Sequence, residues 1–277
     1  MANQEILYAV ADRIARITLN RPDKLNAWTA TMEQEVRSAI EEAERDGQVR
    51  VIVLTGGGRG FCAGADMSLL GAVARQGVSD LVRERALDDK GKEQNERVRA
   101  DFQTKYSYFL ATEKPVIAAV NGPVVGLGLV IALYCDLRFA SEAARFSTAF
   151  ARRGLIAEYG MAWMLSRIVG HANALDLLLS ARTIDAAEAS HMGLANRVFP
   201  HEGFLDRVSE YAKDLASSVS PRSMRVIKRQ VYEAMFQSLE EAFEASKREM
   251  LLSLDCEDFK EGVAHYLEKR PPAFTGN

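Results

Sequence analysis

VIAAVNGPVVGLGLVIALYC, running from Val116 to Cys135, sets the class of this fold. Its twenty residues carry no charge, which is the length of a bilayer-spanning helix. Asn121-Gly122-Pro123 sits inside the run, however, and a turn signal there is poorly tolerated in a lipid-exposed helix. A strand over 116–120, a turn at 121–123 and a buried helix over 127–135 account for the run better, followed by a strand over 136–140. No membrane span is therefore expected.

Upstream the grammar is similar. Residues 5–10 and 13–20 read as a strand pair joined at Ala11-Asp12, and Arg21-Pro22-Asp23 breaks it. Thr29 is placed to cap a helix running to about Asp46, with Met32, Val36, Ala39, Ile40 and Ala43 on one face. Val49–Thr55 reads as a buried strand ending in Gly56-Gly57-Gly58. Beyond Met161 helical patterns dominate, over 163–169, 172–179, 186–192, 202–217, 221–237 and 239–254, with one short strand over 196–199. Strands alternating with helices predict an α/β protein, here a core over 1–200 and a helical appendage over 201–277. Residues 71–100 are polar and glycine-punctuated, and two readings stand: a surface loop, or a lid over a ligand.

The totals exclude several classes. A formal charge of −3 gives no basic excess for a phosphate backbone, so no nucleic-acid partner is expected. Cys62, Cys135 and Cys256 are too few and scattered for a disulfide framework or a cysteine-based zinc site, and His171, His191, His201 and His265 lack metal-ligand spacing. No metal is expected. The first residues show no secretory signal, and with the cysteine usage this predicts a cytoplasmic protein.

Two strand-to-helix turns carry the candidate chemistry: Phe61-Cys62-Ala63-Gly64-Ala65-Asp66 and Asn121-Gly122-Pro123-Val124-Val125-Gly126-Leu127-Gly128. Small residues admit a ligand close to the backbone, and helix starts offer N–H groups without intrahelical acceptors. Two such turns converging would aim two N–H groups at one carbonyl oxygen, an oxyanion hole. Glycine-rich turns alone are weak evidence, since strand-on-helix packing needs glycine too.

The chain resembles the enoyl-CoA hydratase/isomerase (crotonase) family along nearly its whole length. The resemblance is carried by Asn20-Arg21-Pro22, Leu25-Asn26-Ala27, the block from Phe61 to Met67, and the block from Lys114 to Gly122. Cys135-Asp136, Gly154-Leu155-Ile156, Arg167–Gly170, Glu261-Gly262 and Leu267–Arg270 continue it. The resemblance implies a spiral of repeated ββα units with a C-terminal helical trimerisation region, and an acyl-CoA substrate. It also implies a homotrimer or hexamer, and no cofactor beyond the CoA of the substrate. It assigns Ala65 and Leu127 as oxyanion donors. Lys24, Leu25, Ala63, Asp66, Met67 and Gly126 match segments lining the CoA groove, and Val130 and Phe150 would wall the acyl site. Tyr266 and Lys269 match positions that approach a CoA on a neighbouring subunit.

The chain departs from the two-glutamate hydratases of that family at two positions. Val130 and Phe150 stand where those members carry their acid/base pair. Glu158, in Ile156-Ala157-Glu158-Tyr159-Gly160, matches the position where some isomerases of the family place a single catalytic glutamate. The expected activity is double-bond isomerisation of an enoyl-CoA through an enolate, with Glu158 as the single acid/base. A hydratase using Glu158 alone and a catalytically silent acyl-CoA binder are the alternatives. The plain reading of Glu158 is an exposed acid near a helix start.

Overall fold

A computed structural model describes residues 4–67, 71, 74, 75, 77 and 98–277 of the chain. Strands β1 (Ile6–Ala11) and β2 (Ile14–Leu19) form an antiparallel hairpin. Its two-residue turn is Asp12-Arg13, one residue later than expected, and both residues have positive φ (52° and 63°). That is the backbone a tight hairpin requires of both central residues. Helix α1 (Ala30–Arg45) follows, with the Thr29 side chain accepting from the Met32 N–H. It buries Met32, Val36, Ala39, Ile40 and Ala43, the stripe expected from the spacing.

β3 (Val51–Gly56) is buried along its whole length and leads to the first glycine-rich turn. After the short helix α2 (Tyr108–Ala111), the uncharged run divides into β4 (Val116–Val120), β5 (Pro123–Val125) and α3 (Leu127–Tyr134). Every residue of α3 is buried, as a helix apolar all round must be. No described helix is long and apolar enough to cross a membrane. β6 (Leu137–Ser141) and β7 (Arg145–Ser147) come next, then α4 (Met161–Val169) and α5 (His171–Ser180). β8 (Ile184–Asp185), α6 (Ala186–His191) and β9 (Arg197–Phe199) complete the strands.

The strands sort into two sheets. The larger has order β1-β2-β3-β4-β6-β9 and is parallel from β2 onward; the smaller has order β5-β7-β8. After β4 the chain places one short strand, β5, in the small sheet; after β6 it places two, β7 and β8, before returning to the large sheet at β9. The small sheet was absent from the sequence reading, because strands of two or three residues carry no measurable alternation.

Four helices close the chain: α7 (Phe204–Ser218), α8 (Pro221–Glu233), α9 (Leu239–Leu254) and α10 (Glu257–Glu268). The last was not assigned from sequence. Phe204, Val208, Ala212 and Ala216 of α7 pack on Ile14, Val51, Val53, Ile117, Ala119 and Phe139 of the large sheet. α7 thus covers one sheet face. α8 is pinned by a buried ion pair, Lys228 Nζ to Asp136 Oδ2 at 2.8 Å, with the Tyr232 hydroxyl donating to Asp136 Oδ1 at 2.8 Å. α9 and α10 differ. Leu239, Phe243, Leu251, Leu252, Tyr266 and Leu267 are all more than half exposed, and α9 buries none of its residues.

Candidate active site

The first turn is anchored by a side chain buried without any solvent exposure, Asn26. Its Oδ1 accepts from the Arg21 N–H at 2.9 Å, while its Nδ2 donates to the carbonyls of Gly57 and Gly60 at 3.0 and 2.8 Å. Leu25 and Asn26 both adopt positive φ (48° and 56°), which folds the 21–27 segment tightly. That places the Leu25 carbonyl to accept from the Ala63 N–H at 2.9 Å. Lys24 is exposed beside it, so Lys24, Leu25 and Ala63 form one continuous edge. Asp66 pairs with Arg21 at 3.0 Å and its N–H donates to the Trp28 carbonyl, while Met67 is exposed.

The two turns meet through backbone. Cys62 bridges Val124, the Val125 N–H donates to the Cys62 carbonyl at 2.9 Å, and the Cys62 N–H donates to the Pro123 carbonyl. A methyl group on Gly64 would lie 2.9 Å from the Val125 carbonyl oxygen and 3.7 Å from the Leu127 nitrogen. A methyl on Gly128 would overlap Cys62. Gly126 adopts φ 52° and ψ −118°, a conformation closed to residues with a Cβ, and so turns the chain into α3 at Leu127.

Neither the Ala65 nor the Leu127 N–H donates to any described group. Leu127 is the first residue of α3 and has no intrahelical acceptor; Trp28 bridges Ala65 through the N–H and carbonyl of its neighbours. Two backbone donors are thus left at adjoining turns.

Glu158 lies on a loop that enters α4, followed by Tyr159 (φ 50°) and Gly160 (φ 71°), both left-handed. The Tyr134 hydroxyl, at the end of α3, donates to the Tyr159 carbonyl at 2.7 Å. Gly160 leaves room for that contact, since a methyl there would sit 2.5 Å from the hydroxyl oxygen. The Tyr106 ring lies 6.3 Å from the Trp28 ring and 4.9 Å from the Tyr159 ring, centroid to centroid. An aromatic row therefore runs from the Ala65 turn to the Glu158 loop. The Glu158 carboxylate is half-buried, accepts no hydrogen bond from a described group, and is pushed above the ordinary carboxylate range by desolvation. It is therefore not the freely solvated acid of the plainer reading.

Val130 and Phe150 are buried beside these elements, and the Val130 N–H donates to the Gly126 carbonyl. Tyr266 and Lys269 lie apart: Tyr266 is exposed on α10 and Lys269 caps it with φ 55°. No described hydrogen bond, ion pair or ring contact joins them to the two turns. Burial pushes the Cys62 thiol up to about 12, so it is a packed apolar filler and not a nucleophile. No metal-ligating cluster occurs among the described residues. The 71–100 segment lies mostly outside the described residues. Trp28, Tyr106 and Tyr134 were missed from sequence, because no spacing rule ties three distant aromatic residues to one loop.

The enoyl-CoA hydratase/isomerase family model matches residues 10–277, and the chain belongs to that family. It is 34% identical to a probable enoyl-CoA hydratase of Mycobacterium tuberculosis, over 99% of each chain. It is 31% identical to the 1,2-epoxyphenylacetyl-CoA isomerase of Escherichia coli, over 98% of each. Among solved structures it resembles an enoyl-CoA hydratase from Bacillus anthracis with a TM-score of 0.87 at 27% identity, covering 99% of this chain and all of that one. The two-sheet arrangement is the crotonase fold of these enzymes.

The meeting of the two turns is open to a direct check. Gly64→Ala combines a positive φ of 98° with a clash against Val125, so it should destabilise by about 1–3 kcal/mol. Gly47→Ala has nothing within 4 Å and no such φ, and should leave urea unfolding nearly unchanged.

Proposed function

We propose that this chain is an acyl-CoA enzyme that moves a carbon–carbon double bond through a thioester enolate. In this reading the thioester oxygen is held by the Ala65 and Leu127 N–H groups, which gain strength as negative charge develops on it. Glu158 removes a proton from one carbon and returns it to another. CoA lies along the edge made by Lys24, Leu25 and Ala63, reaching toward Asp66, Met67 and Gly126. The observation that carries the reading is the Glu158 carboxylate, half-buried and unpartnered among the described residues, in a chain whose Val130 and Phe150 are apolar and buried. Raised affinity for a proton suits a group that must both take and give one near neutral pH. No other cofactor is required by this chemistry.

The hydratase names of several relatives favour a second reading, in which Glu158 alone activates water for addition to a 2-enoyl-CoA. The chemistries part on one substrate panel. With 2-enoyl and 3-enoyl thioesters, the isomerase yields products of unchanged mass, whereas the hydratase adds one water. Glu158→Gln should lower turnover by about 10²–10⁴ with thioester affinity nearly unchanged. The pH profile of kcat/KM should lose activity on the acid side at a pH above the ordinary glutamate range, because the base must be ionised and desolvation resists that. Wild-type turnover by Glu158→Gln would refute the assignment. Tight binding without turnover by the wild type would leave a silent binder.

The exposed apolar side chains of α9 and α10 support a further part of the proposal: these helices are covered by other copies of the chain in a trimer or a dimer of trimers. Tyr266 and Lys269 would then approach the CoA of a neighbouring copy. Light scattering should return a mass that is a multiple of three subunits at micromolar concentration; a monodisperse monomer would contradict it.

A further inference from the structure

The acyl-CoA reading leaves the acyl group unspecified, and a cavity lined in part by Tyr159 and Gly160, the two residues after Glu158, narrows it. The cavity has a volume of about 350 Å³ and opens between the 101–110 segment, the end of α3, the Tyr159-Gly160 turn and the residue-236 turn after α8. Six of its twelve lining residues are aromatic, Phe102, Tyr106, Tyr134, Tyr159, Trp163 and Phe236; Leu110 is the one branched aliphatic side chain, and Asp101, Thr104, Lys105 and Ser107 add polar groups. Met161 and Met164 of α4 are buried, but Trp163 between them is only half-buried and lines the cavity.

The rings are fixed before any ligand arrives. Trp163 and Phe236 stack at 5.5 Å with planes 20° apart, and Phe102 meets Phe236 edge-on at 5.9 Å. The Arg167 guanidinium lies 3.8 Å from the Trp163 ring centre and that of Arg99 lies 4.1 Å from the Phe236 ring centre. Across the cavity, Tyr106 and Tyr159 are locked edge-to-face at 4.9 Å, with the Tyr106 hydroxyl donating to Glu33 at 3.0 Å. Aromatic side chains gathered about a space favour another ring, through edge-to-face or offset contacts, over an alkyl chain, which gains only area. A cavity of about 150 Å³ accepts benzene, so this one holds a substituted ring with room for its linker. Tyr159 and Gly160, which line the cavity, directly follow Glu158 in the chain.

We propose that this cavity is the acyl pocket and that the enzyme's substrates are aryl-bearing acyl-CoA thioesters, with Trp163 and Phe236 as specificity-determining residues. The proposal rests on the acyl-CoA reading above. It is tested with two saturated, unreactive thioesters matched in carbon number, 3-phenylpropanoyl-CoA and nonanoyl-CoA, titrated into the full-length protein by calorimetry. Two or more edge-to-face contacts at about 0.5–1.5 kcal/mol each predict about tenfold tighter binding of the aryl ligand. Trp163→Leu and Phe236→Leu, on different elements of the wall, should each erode most of that preference while nonanoyl-CoA binding stays within about twofold. Phe236 is 39% exposed, so its variant tests the wall even if Trp163→Leu folds poorly. Equal or tighter binding of nonanoyl-CoA by the wild type, or an unchanged ratio in both variants, overturns the aryl pocket and leaves the acyl-CoA reading standing. Failure of both thioesters to bind overturns the acyl-CoA reading and the pocket with it.

Discussion

Backbone pairing between Cys62 and Val124 holds two strand-to-helix turns against each other, and the remaining features of the site are arranged around that contact. It is possible only because side chains are missing where the chains touch. Gly64 abuts the Val125 carbonyl and Gly128 abuts Cys62. The parallel pairing of β3 with β4 brings both turns to the same end of the sheet, and Asn26 fixes the outer strand of the first turn through three hydrogen bonds. Two N–H groups, on Ala65 and Leu127, are left without described acceptors at that junction. Backbone donors left without a protein acceptor are free to meet a ligand.

Around this rigid junction the chain builds a less polar layer. Val130 and Phe150 are buried there, and the aromatic row Trp28–Tyr106–Tyr159 links the first glycine-rich turn to the Glu158 loop. Tyr134 ties that loop back to α3, the helix that starts at Leu127. One proposed donor, Leu127, and the loop that carries the proposed base are therefore attached to opposite ends of one buried helix. Desolvation raises the proton affinity of the Glu158 carboxylate, and no acid among the described residues contributes to that shift. That environment is better matched to shuttling a proton than to holding a water molecule between two carboxylates.

What the sequence disclosed followed the strength of its periodic signals. The α1 stripe, the uncharged run from Val116 and the two glycine-rich turns were legible because each has a local cause: a 3.6-residue period, an internal turn, or a steric need for glycine. Glu158 stood out only through family resemblance, since an acid near a helix start is ordinary. The small sheet, the C-terminal helix α10 and the aromatic wall were not legible. Strands of three residues have too little pattern, α10 exposes apolar side chains that a lone amphipathic helix would bury, and Tyr106, Tyr134 and Trp163 converge only in three dimensions.

The central claim is that the Ala65 and Leu127 N–H groups grip a thioester carbonyl. Isotope-edited infrared spectroscopy of a bound, unreactive thioester labelled with carbon-13 at its carbonyl addresses it most directly. Two converging donors polarise the bond, so the labelled band should move to lower frequency on binding than in water, and by the same amount in Glu158→Gln. A carbonyl band at or above its frequency in water, in a complex saturated with ligand, would contradict the account.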